Sequence, residues 1–80
     1  MIVVVQYAHD PPITEDALAA EVAKLSGCLD VYEVATRERL VSLDRATSIA
    51  IFDAPDAGRV KIAHGSAGVA FARLWPMTPA

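Results

Sequence analysis

The stretch IVVVQY, Ile2–Tyr7, opens this 80-residue chain with a run of β-branched residues, and a second apolar run, TSIAIFD, spans Thr47–Asp53. In both runs, apolar residues occupy odd and even positions, which is typical of a strand that is buried on both faces. The two runs are therefore predicted to be the central strands of one sheet.

An amphipathic helix is predicted between these runs. Pro11 and Pro12 end the first strand, because proline cannot donate to a strand ladder or continue a helix. Thr14 is a good N-cap, and acidic residues follow it at the positive end of the helix dipole. Apolar residues then recur at helical spacing until Gly27, where we expect the helix to end.

The rest of the chain predicts a strand, a turn, a second helix and a last strand. Residues 31–43 form a charged run that suits the edge of a sheet, and residues 43–46 form the turn to the second apolar run. Asp56 is expected to cap a helix to about Ser66, and Val69–Trp75 is expected to be the last strand.

This element order predicts an α+β fold of the ferredoxin-like βαββαβ class. Right-handed crossovers then give a four-stranded antiparallel sheet with both helices on one face. Residues 1–76 form one domain, and residues 77–80 form a short C-terminal tail. Because the central strands are apolar on both faces, the face opposite the helices needs a cover. A second copy is the simplest one, which predicts a homodimer of the dimeric α/β-barrel type.

Composition and charge exclude several classes of function. The net charge of −3 and the scattering of the seven basic residues argue against a nucleic-acid partner. The chain has no apolar run long enough to span a membrane and no signal-peptide pattern at its start. One cysteine cannot form an internal disulfide, which fits a cytoplasmic location.

Several motifs resemble the nickel-binding-protein-like family of small ferredoxin-like domains, formerly a domain of unknown function. The resemblance is carried by residues 53–57, by a helix with His64 near its centre, and by the terminal residues 67–76, AGVAFARLWP. The early residues PPITEDAL, 11–18, are similar to the family's first loop and helix start. The resemblance implies a ferredoxin-like dimer that binds nickel or a similar divalent metal. The glycines of the second helix depart from the family pattern.

Three residues are the candidate metal ligands. His9 follows the first strand, and His64 falls at the position of the family's helix histidine. The predicted topology places both at one end of the domain, together with Asp10 and the turn at Asp44. Imidazoles beside a carboxylate suit Ni²⁺ and related ions. Two histidines 55 residues apart are not a spacing motif, so a half-buried structural role for His64 stays open.

No catalytic or cofactor-binding constellation is recognisable. Cys28 is expected to be a buried structural thiol at the opposite end of the domain. The charges of the edge strand are expected to face solvent, and the aromatic residues are expected in the core or a dimer interface. The leading hypothesis is a homodimeric divalent-metal-binding protein. A protein-interaction module without catalytic activity, or a small dimeric α/β-barrel enzyme, are the alternatives.

Overall fold

The computed structural model describes residues 1–80 as a ferredoxin-like α+β domain. Six elements follow in the predicted order: β1 Ile2–Ala8, α1 Glu15–Val31, β2 Ala35–Val41, β3 Thr47–Asp53, α2 Ala57–Ala67 and β4 Arg73–Met77. The strands form one antiparallel sheet in the order β2-β3-β1-β4. The predicted fold class is confirmed, and neither helix is long and apolar enough to cross a membrane.

The two apolar runs are the central strands, as their pattern predicts. In the β1–β3 ladder, Val3 lies opposite Phe52 and Val5 lies opposite Ala50. All four side chains are fully buried, on the face that the helices cover. Leu25 of α1 and other helix residues complete this core.

Helix α1 is longer than predicted, because Gly27 does not end it. The helix continues to Val31, and the turn follows at Glu33, which adopts a φ of 61°. Leu25 and Leu29 are both buried, one helical turn apart, on either side of Gly27. Their packing outweighs the cost of about 1 kcal/mol for one glycine inside a helix.

Strand β2 is shorter than predicted and contains a β-bulge. Thr36 pairs with Phe52, and Glu38 pairs with Ile51, so Arg37 is an extra residue without a partner in the ladder. The bulge reverses the alternation of side chains. As a result Arg39 lies on the helix side, with its guanidinium carbon 5.6 Å from the centre of the Phe52 ring.

Strand β4 begins and ends later than predicted. Gly68 terminates α2 with a φ of 70°, and Val69 N donates to the His64 carbonyl, so Val69 belongs to the helix cap. The strand starts only at Arg73 and runs through Pro76 to Met77, which the sequence assigned to the tail. Pro76 is tolerated because β4 is an edge strand.

The sheet face opposite the helices is largely apolar, and we call it the open face because no helix or strand covers it; Val4 near its centre is only 6% exposed. Its side chains include Ile2, Val4, Gln6, Arg37, Glu38, Leu40, Ile49, Ile51, Asp53, Arg73, Trp75 and Met77. Leu40 is 53% exposed and Met77 is 52% exposed. The apolar second face that the strand pattern predicts is therefore present.

Candidate functional site

Both histidines lie at one end of the domain, with the ring of Tyr7 stacked against each of them. Tyr7 and His9 are two residues apart at the end of β1, and their ring centres are 6.4 Å apart. The ring of His64, from α2, is stacked on Tyr7 with its centre 5.7 Å away. We call Tyr7, His9, Ser48 and His64 the polar cluster.

The His64 ring is fully buried, and both of its nitrogens are hydrogen-bonded. The Tyr7 hydroxyl donates to His64 Nε2 over 2.6 Å. His64 Nδ1 then carries the proton and donates to the Val60 carbonyl over 2.7 Å, one turn earlier in α2. The rings of Phe52 and Phe71 contact His64 edge-on. These contacts fix one neutral tautomer and leave His64 no free lone pair.

The electrostatics of the pair keep both groups uncharged at neutral pH. Burial raises the pKa of Tyr7 to about 12, although the positive charge of Arg39 opposes part of this rise. Burial also lowers the pKa of His64 below its ordinary value of 6.5, partly offset by the bond to Val60. Both shifts move the pKa values away from neutrality.

His9 is more accessible than His64. Its Nε2 lies 2.7 Å from the Ser48 hydroxyl, and its backbone N–H donates to the Ala46 carbonyl at the turn between β2 and β3. Its Nδ1 makes no hydrogen bond, and the neighbouring Asp10 is exposed. One nitrogen of this imidazole therefore has no hydrogen-bond partner within the protein.

The three predicted metal ligands do not form a cluster within one chain. No group of three or more histidine, cysteine, aspartate or glutamate side chains could hold an ion. His64 would have to release Tyr7 before it could bind a metal. The metal site of His9, Asp10 and His64 thus stays a prediction, and one chain alone does not supply its geometry.

Asp44, expected at the same end, stabilises the β2–β3 turn. Its Oδ1 accepts hydrogen bonds from the Ser42 hydroxyl over 2.6 Å and from Ala46 N over 3.0 Å. These bonds, with the Ser42 bond first, lower the pKa of Asp44. Cys28, expected to be a buried structural thiol, packs against the core but is only half-buried.

Tyr7 and Ser48 are members of the polar cluster that no sequence motif identifies. The signal was present, because Val5, Tyr7 and His9 alternate along one strand and therefore share a face. The cavity between Tyr7, Leu18, Arg39 and Ser48 has a volume of ≈ 10 Å³. This is room for about one water molecule and not for a substrate.

The open face carries four charged side chains with different surroundings. Arg37 Nε lies 3.3 Å from Asp53 Oδ2, at the end of the face where β1 begins. Arg73 lies over Trp75, with its guanidinium carbon 5.3 Å from the ring centre. Glu38 and Arg73 take part in no ion pair or side-chain hydrogen bond within the chain. Arg37, Asp53, the start of β1 and residues 76–79 line an open groove of ≈ 650 Å³ at the same end of the sheet.

Comparison with known proteins supports the fold and leaves the function open. The chain is similar to SCO4226 of Streptomyces coelicolor A3(2), a protein of known crystal structure. The TM-score is 0.88 at 15% sequence identity, over 100% of this chain and 99% of the other. No family model and no curated protein matches the sequence. At this identity the likeness shows a shared fold alone.

Proposed function

We propose that this chain works as a homodimeric binding module without catalytic activity, formed through the open face. The observation that carries the proposal is the apolar face itself, which runs across all four strands and is covered by no helix or strand of the chain, while Thr78 and Pro79 of the C-terminal tail border it at one end. Contiguous bare apolar surface of this kind is typical of protein interfaces. A second copy covers it with the same surface in a two-fold arrangement.

The polar cluster supports the absence of catalysis. A general acid or base works best when its pKa lies near the working pH. Tyr7 and His64 have pKa values displaced away from neutrality, and the hydrogen bonds of His64 are all satisfied inside the protein. The adjoining cavity is too small for a substrate. These features suit a polar core that fixes the packing of α2 on β1.

Two matched substitutions test the dimer. Leu40 on the open face is 53% exposed, and Ile62 on α2 is 52% exposed. Leu40→Asp is expected to convert the dimer to a monomer in size-exclusion chromatography with light scattering. Ile62→Asp introduces the same charge on the helix side and should leave the dimer intact. Equal effects of the two variants, or a monomeric wild type, would contradict the proposal.

A divalent transition metal, nickel or a similar ion, is the second candidate ligand of the module. The observation that favours it is that His9 Nδ1 has no partner within the protein and that Asp10, the next residue in the sequence, is exposed. An imidazole nitrogen and a carboxylate suit such ions, and two copies of the chain would double the number of ligands. The family resemblance names His64 as a further ligand.

Calorimetric titration with Ni²⁺ and Zn²⁺ tests the metal candidate. Saturable heat should disappear in His9→Ala and in Asp10→Ala, while Asp30→Ala, at the far end of α1, retains it. His64→Ala tests the ligand role in the same titration, and its unfolding curve measures the structural role of the buried ring. Absence of saturable heat in the wild type would remove the candidate.

A further inference from the structure

Two charges on the open face have no partner within the chain. Glu38 and Arg73 are both exposed and make no ion pair. The other two charged residues of that face, Arg37 and Asp53, pair with each other. If a second copy covers this face, Glu38 and Arg73 lose water, and an unpaired charge in such an interface is costly.

The register places Glu38 and the Arg73 guanidinium at the same height along the sheet. Glu38 pairs with Ile51, Ile51 with Val4, and Val4 with Trp75, so these residues form one row across the sheet. The backbone of Arg73 lies in the neighbouring row of this face, opposite Gln6, but its guanidinium lies over the ring of Trp75. One negative and one positive charge therefore lie at opposite ends of the same row.

The strand order makes this row symmetric about the middle of the sheet. Strands β2 and β4 are the two edges, and the midline runs between β3 and β1. With a strand spacing of about 4.8 Å, Glu38 and Trp75 each lie about 7 Å from that midline. A two-fold axis along the midline, parallel to the strands, lays β2 of each copy over β4 of the other.

We propose that the dimer uses this axis, and that Glu38 of each copy forms an ion pair with Arg73 of the other. The inference rests on the proposed homodimer and specifies its geometry. Sheets packed face to face are about 10 Å apart, which extended glutamate and arginine side chains together can span. An axis across the strands, placed at this row, would instead lay β2 over β2 and β4 over β4 and bring like charges together.

In this arrangement the two ion pairs lie at the edges of the interface, and most of the side chains beside the midline are apolar, with Gln6 of β1 as the polar exception. Ile49, Ile51 and Val4 lie next to the midline, whereas the two ion pairs flank them symmetrically. Each Arg73 is held between the partner's carboxylate and its own Trp75, which adds a cation–π contact that strengthens on desolvation. The charges then select one relative orientation of two otherwise apolar faces.

Charge reversal and its rescue test the proposal. We would measure the dimer dissociation constant by sedimentation equilibrium for Glu38→Arg, Arg73→Glu and the double variant that exchanges the two charges. Lys61→Glu, an exposed substitution on α2, controls for the change in net charge. Circular dichroism of each variant checks that the exposed substitutions leave the fold unchanged.

Each single reversal is expected to raise the dissociation constant by roughly tenfold or more, because it creates two like-charge contacts per dimer. The double variant should recover affinity to within a few-fold of the wild type, and Lys61→Glu should have little effect. A dimer that tolerates both single reversals, or a double variant as weak as the singles, would overturn the pairing while leaving the dimer in place. A monomeric wild type would overturn the dimer itself, and the pairing with it.

Discussion

The hydrogen bond between Tyr7 and His64 provides the sharpest test of the polar cluster, through the substitution Tyr7→Phe. The hydroxyl donates over 2.6 Å to a histidine ring that is 0% exposed, and Tyr7 itself is only 5% exposed. Phenylalanine keeps the aromatic packing and removes only the donor. His64 Nε2 then remains buried without a hydrogen-bond partner.

The expected cost follows from that orphaned nitrogen. Leaving a buried polar group unsatisfied costs about 1–3 kcal/mol, so we expect a loss of about 2 kcal/mol in the free energy of unfolding. For a domain of this size, that corresponds to a fall of about 8–16 °C in Tm. Urea unfolding followed by circular dichroism measures it, at one fixed protein concentration because dimerisation contributes to stability.

Tyr32→Phe is the matched control. The Tyr32 hydroxyl makes no hydrogen bond and its ring packs at the rim of the core, so its removal should change stability by less than about 0.5 kcal/mol. In addition, replacing both Tyr7 and His64 by phenylalanine should cost less than the sum of the two single changes. If Tyr7→Phe proved as harmless as Tyr32→Phe, the polar cluster would not be a structural core.

Two further predictions concern pH and the glycines of α2. Burial lowers the pKa of His64 below 6.5, so below that pH the unfolded chain binds a proton that the folded chain does not. The free energy of unfolding should therefore fall as the pH drops from about 6.5 towards 5. His64→Gln should remove this contribution to the pH dependence of stability. Gly65→Ala should stabilise the protein by about 0.5–1 kcal/mol, because an added Cβ meets nothing within 4 Å inside the helix. Gly68→Ala should destabilise it by about 1 kcal/mol, because its φ of 70° is left-handed. Urea unfolding measures each change, and glycine effects of the same sign would refute the helix assignment.

The order of elements and the central strands could be predicted because their signals are local. The runs at Ile2–Ala8 and Thr47–Asp53 are apolar on both faces, and only a central strand needs that pattern. The boundaries were less predictable where distant packing decides them. Gly27 is a local stop signal, but the burial of Leu29 carries α1 past it.

The bulge in β2 could not be predicted, although it determines the open face. In a regular strand without the bulge at Arg37, Glu38 would lie two residues after Thr36 and on the same side, towards the helices. The charged strand gave no local sign of this shift. The unpaired carboxylate of the open face therefore became visible only in the structure.

The sequence predicted which end of the domain holds the candidate site, but it did not predict which side chains contact each other there. The topology correctly brought His9 and His64 to one end of the domain. The partner of His64 is Tyr7, 57 residues away in sequence, and no spacing rule identifies it. Whether the end that holds His9 and Asp10 binds a metal stays a prediction for calorimetry.

The most direct test of the account asks whether the open face is covered in solution. A soluble paramagnetic probe broadens the methyl signals that solvent reaches, and Leu40 and Ile62 are almost equally exposed in the single chain, at 53% and 52%. We expect the Leu40 methyl signals to stay sharp and those of Ile62 to broaden. Equal broadening of the methyl signals of the two residues would mean that the open face is exposed to solvent. That result would contradict the homodimer and the ion pairs inferred from it.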